Sequence, residues 1–133
     1  MKIIAPTGRQ VQYNGTHGNL SVAMLGIMLS AAQIGDVIVL GEFDSTIEVD
    51  DFRVDHAALG ASTSVDLGFA YINDDASDTP DAIADGLATV SAGSKRMAAK
   101  PVTAKGHSQL TATIKGGPAT GAVDVTLFYR NVG

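Results

Sequence analysis

Between Gln109 and Arg130 apolar and polar side chains alternate through two runs that glycines and a proline separate. Leu110, Ala112 and Ile114 share one face, opposite Thr111, Thr113 and Lys115. After Gly116, Gly117, Pro118, Ala119, Thr120 and Gly121 the alternation resumes, with Val123, Val125, Leu127 and Tyr129 against Asp124, Thr126, Phe128 and Arg130. A period of two marks a strand with one buried face, and glycines supply the positive φ of a tight connection. The segment predicts two strands joined as an antiparallel hairpin.

The same grammar recurs upstream. Met1 to Ala5 and Val11 to Tyr13 read as short strands, closed by Pro6 with Gly8 and by Asn14-Gly15. In Leu20 to Ser30 the spacing of Val22, Leu25 and Leu29 suits a helix, but Gly26 and the strand-rich context favour a strand, with a helical turn near Ala31 to Ile34. Asp36 to Leu40 is β-branched and reads as a buried strand. Ile47 and Val49 occupy one phase and Phe52 and Val54 the other, so a β-bulge is expected at Asp50-Asp51. After a turn at Leu59 to Ser62, Val65, Leu67, Phe69 and Tyr71 point one way, and Ser64, Asp66, Gly68 and Ala70 the other. Asn73 to Asp85 reads as an acidic loop, followed by short strands at Leu87 to Val90, Arg96 to Ala98 and Val102 to Ala104. Roughly eight short strands with turns between them predict an all-β fold, a single-domain antiparallel β-sandwich of jelly-roll type. That domain is expected to span residues 1–133, with 1–34 as an arm or docking segment.

Composition sharpens this picture. The hydrophobic fraction of 45% is ample for a core, yet aromatics make up only 5% and there is no Trp. Small apolar side chains bury little area each, at roughly 25 cal/mol per Å², so self-association is a natural supplement. Fourteen acidic residues against nine basic ones, and a net charge of −5, argue against a nucleic-acid partner. With no Cys, disulfides, thiolate nucleophiles and Cys-based zinc sites are all excluded. The N-terminus lacks the apolar core of a signal peptide, and Val22 to Ile34 is too short to span a bilayer. A soluble, non-secreted product with no membrane partner is expected.

Candidate chemistry is sparse. Asp74, Asp75, Asp78, Asp81 and Asp85 place five carboxylates within twelve positions, and Asp74, Asp75 and Asp78 are the candidates to collect a hard cation such as calcium. The alternating Asp pattern and closing Glu of an EF-hand are absent, and Asp is also a common turn former, so no metal is assigned. His17, His56 and His107 have no adjacent nucleophile to activate, and Asp55 and His56 should face opposite sides of a strand. Glu42, Glu48, Asp50 and Asp51 offer carboxylate pairs of the kind glycoside hydrolysis needs, as any acidic chain does. Phe52, Phe69 and Tyr71 fall in core-like alternation, leaving Tyr13, Phe43, Phe128 and Tyr129 scattered, a poor basis for a sugar-stacking platform. No catalytic residue and no cofactor is assigned. A carbohydrate-binding module is the second reading, and a small hydrolase built on Asp78 and His107 the third.

Three stretches taken together carry a resemblance: Gly35 to Gly41, Val54 to Ala70, and the terminal hairpin through Tyr129. They resemble small virion structural proteins of tailed bacteriophages, of the capsid decoration or cement type. The resemblance implies a non-enzymatic protein made in the bacterial cytoplasm and placed on the capsid surface, with the major capsid protein as partner. It implies a homo-oligomer, expected to be a trimer, that reinforces the joints between capsomers. A tail or head–tail connector component is the alternative within the virion. Met24, Leu25, Ile27, Met28 and Leu29 exceed what one strand face requires. They are expected either to form an intersubunit interface or to belong to a central strand buried on both sides.

Overall fold

Alternation along these segments becomes ten strands, and no helix occurs among the described residues, which are 1–8, 20–72, 78–96 and 101–132 of this computed structural model. The strands are β1 (Lys2–Ile4), β2 (Leu20–Ala32), β3 (Val37–Phe43), β4 (Ile47–His56) and β5 (Ser64–Tyr71), then β6 (Thr79–Ala88), β7 (Gly93–Arg96), β8 (Val102–Ala104), β9 (Ser108–Lys115) and β10 (Ala119–Asn131). Sheet I has the order β1-β3-β9-β5-β6 and sheet II the order β2-β10-β4-β7, with β8 also paired to β4. Neighbours run antiparallel except β1 and β3, which are parallel. Disregarding β1 and β8, the chain crosses between sheets at nearly every connection, which is the jelly-roll arrangement of an all-β sandwich. The inner faces interdigitate through Ile38, Leu40, Leu67, Phe69, Leu110 and Ile114 from sheet I and Val49, Phe52, Val54, Val125, Leu127 and Tyr129 from sheet II. Phe43 and Tyr129 close one part of this core edge to face, with ring centroids 5.4 Å apart.

The expected hairpin at the C-terminal end is not one. Both strands form where the alternation put them, but β9 pairs with β3 and β5 while β10 pairs with β2 and β4. Gly116, Gly117 and Pro118 carry the chain from one sheet to the other, so the two apolar faces meet across the core. Gly116 takes φ +82° there, and a β-carbon at Gly117 would press on the Ala61 carbonyl oxygen.

The bulge expected in β4 is present. Phe128 lies opposite Asp51 and Tyr129 opposite Val49, which leaves Asp50 as the extra residue and brings Ile47, Val49, Phe52 and Val54 all inward. The long segment from Leu20 is a strand, as expected. In place of a helical turn after it, Ala31 sits in a bulge at φ 49° and Gly35 turns the chain at φ 87°. The acidic loop is shorter than expected, because Thr79 to Ala88 forms β6 and puts Asp81 and Asp85 on a strand. Val11 to Tyr13, His17, Asp74, Asp75 and the end of the strand expected at Arg96 to Ala98 lie outside the described residues.

Strand β6 is irregular for a reason that lies in β5. Its pairing with β5 slips twice, between Val65 and Leu67 and again between Leu67 and Phe69. The first slip brings Gly86, at φ +69°, over Asp66, whose Oδ1 accepts the Gly86 N–H at 2.7 Å. The second lays the backbone of Thr79 and Pro80 against Gly68, which has no side chain to keep it away. Asp66 is therefore buried, although alternation placed it on the outer face. The Lys115 ammonium reaches its other oxygen at 2.6 Å, and this pairing raises the pKa of Lys115.

Candidate docking surface

The outer face of sheet II carries the most distinctive surface of the molecule. Strand parity builds it. In β2 the odd positions Ala23, Leu25 and Leu29 are buried, and the even positions Leu20, Val22, Met24 and Met28 are exposed. Met24 and Met28 are 75% and 71% exposed, a heavy load of apolar surface for the edge strand of a sheet. Gly26 lies between them on the same face. The Asp124 carboxylate lies against it where a β-carbon would stand, beside a depression of about 460 Å³ bordered by Thr7, Met24, Asp55, Asp124 and Thr126. The Thr7 hydroxyl accepts the outward N–H of Gly26 at 3.1 Å and donates to the Leu40 carbonyl at 2.8 Å, tying the N-terminal segment to this edge.

Across the same face the chemistry turns ionic. Arg130 on β10 donates through Nε to Asp50 at 2.8 Å and also pairs with Glu48, so the bulge residue and its neighbour share one guanidinium. Asp50, and after it Glu48, hold the pKa of Arg130 above its ordinary value. Arg96 pairs with Asp51. Arg53 Nε contacts Asp55 at 3.1 Å and the Ser94 hydroxyl at 3.2 Å. The Ser94 hydroxyl first, and Arg53 after it, hold the Asp55 carboxyl below the usual range. Asp124, beside the apolar strip, has no ionic partner among the described residues.

These positions account for the residues singled out in the sequence. Of the apolar set in β2, Met24 and Met28 face solvent, Ile27 is half-buried, and Leu25 and Leu29 pack in the core. The even-numbered apolar parity of Leu20, Val22, Met24 and Met28 was a readable signal for the strip. The Gly26 depression and its Asp124 border depend on pairing and were not. Asp78 is exposed, and its carboxylate accepts the Tyr71 N–H at 2.9 Å. Among the described residues no three His, Asp or Glu side chains converge as metal ligands. His107 lies in the bend just before β9, its Nε2 2.9 Å from Glu42 of sheet I, while His56 ends β4 in sheet II with Nδ1 3.1 Å from the Ala57 carbonyl. Glu42 is likewise parted from Glu48, Asp50 and Asp51, which serve arginines on the other sheet. Phe43, Phe52, Phe69 and Tyr129 are buried and Phe128 and Tyr71 half-buried, so no described aromatic ring stands free on the surface.

Strand order places the chain in the jelly-roll class of β-sandwiches. No protein-family profile and no curated protein sequence matches it. Solved structures do. It resembles a chain from the capsid of Ralstonia phage GP4, with a TM-score of 0.79 and 19% identity over 100% of this chain and 99% of that one. A chain of the cyanophage Pam1 capsid asymmetric unit matches with a TM-score of 0.70 and 15% identity over 91% of each. A chain of the capsid of Helicobacter pylori bacteriophage KHP30 matches at 0.61 and 21% identity, covering 89% of this chain and 92% of that one. At these identities the likeness is one of fold.

Proposed function

We propose that this chain is a non-enzymatic structural protein of a phage virion, a decoration or cement protein that binds across capsomer joints as a homo-oligomer, most simply a trimer. The observation that carries the reading is the match to a chain of the GP4 capsid over 100% of this chain and 99% of that one. Two features of the molecule support it. The apolar strip on β2 is exposed in the isolated chain and gains by being covered. Beyond it Arg130, Arg53 and Arg96 are already paired with carboxylates and stay compatible with water at the rim of an interface. The mechanism is added burial at joints, which raises the barrier to rupture without making or breaking a covalent bond.

The test has two arms. Light scattering on a sizing column should give about 41 kDa, three chains of 13.6 kDa. Particles of the parent phage prepared without this protein should bind it stoichiometrically and then release their contents at a higher temperature. Absence of binding to such particles would overturn the cement reading.

A further inference from the structure

A second surface lies on the far side of the sandwich from the β2 strip. Strands β6 and β7 are the last strands of sheets I and II, and β2 is the opposite edge of sheet II. Between β6 and β7 the sandwich opens into a groove of about 490 Å³. Its floor is the ring of Phe52 with Ile83, its wall includes Leu87, and Lys95 and Arg96 stand on its rim from β7, with Asp85 lining it from β6. Arg96 is engaged by Asp51, whereas Lys95 has no ionic partner among the described residues.

The two surfaces complement each other in two respects. One offers projecting, flexible apolar side chains, Met24 and Met28, and the other an apolar recess. Beside the methionines stands an unpaired carboxylate, Asp124; on the β7 rim of the recess stands an unpaired ammonium, Lys95, with the Asp85 carboxylate on the β6 side, so the complementary contact is with the β7 rim. Both pairs are on one molecule at opposite lateral edges, so neither can be satisfied within a single chain. We infer that copies of this chain associate head to tail, the Met24–Met28 strip of one seated in the β6/β7 groove of the next, with Asp124 facing Lys95. This rests on the oligomeric reading above and goes beyond it by naming the two faces. A contact between unlike faces propagates in one sense and ends when the rotation closes a ring, which suits a small cyclic oligomer and leaves neither strip nor groove exposed. Methionine suits this role because its unbranched thioether adapts to an irregular recess.

The decisive experiment mixes two disabled chains. A strip variant, Met24→Glu with Met28→Glu, and a groove variant, Leu87→Glu, should each run as a 13.6 kDa monomer by light scattering. Their equimolar mixture should give a dimer of about 27 kDa, two 13.6 kDa chains, because one intact strip meets one intact groove and the ring cannot close. In case Leu87→Glu does not fold, a charge exchange on the exposed pair tests the same contact. Asp124→Lys and Lys95→Glu should each weaken assembly about tenfold or more, and the double variant should recover it. If wild type is oligomeric but the groove and Lys95 variants assemble as wild type does, the inference is wrong while the oligomeric reading stands. A strip variant that assembles normally yet no longer binds capsid particles also overturns the inference, assigning the strip to the capsid. A wild-type chain that stays monomeric at high concentration overturns the inference and the oligomeric reading together. Capsid binding, measured separately, decides the cement reading.

Discussion

Replacing Gly68 by alanine adds one methyl group to the outer face of β5, where the bulged backbone of β6 crosses it. The methyl carbon would lie 2.6 Å from the Pro80 carbonyl oxygen and nearer still to that of Thr79. Carbon and carbonyl oxygen settle at about 3.3 Å or more, so β6 must retreat by at least ~0.7 Å at Pro80. What has to yield is backbone, not the end of a flexible side chain. The retreat strains the pairing of Phe69 with Thr79 and the bond from the Tyr71 N–H to Asp78. Overpacking a fitted site costs about 1–3 kcal/mol, and a weakened hydrogen bond adds about 1 kcal/mol. A loss of about 3 kcal/mol is therefore expected, a large part of the 5–15 kcal/mol typical of a domain. Urea unfolding followed by far-ultraviolet circular dichroism measures it, at one protein concentration because self-association shifts the midpoint. With a slope of about 1–3 kcal/mol per molar urea, the midpoint should fall by at least ~1 M. Gly35→Ala is the control: its β-carbon meets nothing, and only its φ of +87° resists, for about 1–2 kcal/mol. A Gly68→Ala midpoint equal to that of wild type would refute the close crossing of β6.

Two further outcomes are expected. Leu127→Ala, in the middle of β10 with Phe52 and Ala23 as its cross-strand neighbours, should cost about 2–5 kcal/mol in the same assay; a loss under ~1 kcal/mol would show that β10 is not the centre of sheet II. Asp36 is held below its ordinary value of 3.8, chiefly by the Gln33 N–H and then by the Met1 ammonium. A depressed carboxyl stabilises the fold above that ordinary value and loses the contribution as pH falls through its folded value. Asp36→Asn should therefore lower the midpoint at pH 7, with the gap closing below about pH 4. A gap that persists undiminished in acid would count against the carboxylate's role.

Ala58 through Tyr71 illustrates how far local pattern reaches. The turn at Leu59 to Ser62 and the strand after it were legible because alternation and turn chemistry are properties of consecutive residues. The burial of Asp66 was not, since its cover, Gly86, comes from a strand twenty residues away whose bulge accommodates it. The docking surface divides in the same way. Parity along Leu20 to Ala32 separates Met24 and Met28 from Leu25 and Leu29, once the segment is known to be a strand. That Asp124 stands beside Gly26 follows only from the register of β10 on β2.

The amino-acid sequence alone determined most of the strands, though not β6, whose aspartates read as a loop, together with the bulge at Asp50 and the apolar side of β4, β5, β9 and β10. These follow from a period of two and from glycines that permit positive φ. Which strands are neighbours was decided by the tertiary structure. An apolar face turned inward looks the same along the chain whether its strand lies beside the preceding one or opposite it across the core. Gly116 to Pro118 serves either geometry, and the choice rests on burying Leu110, Ala112 and Ile114 against sheet II while β3 and β5 supply the hydrogen bonds of β9.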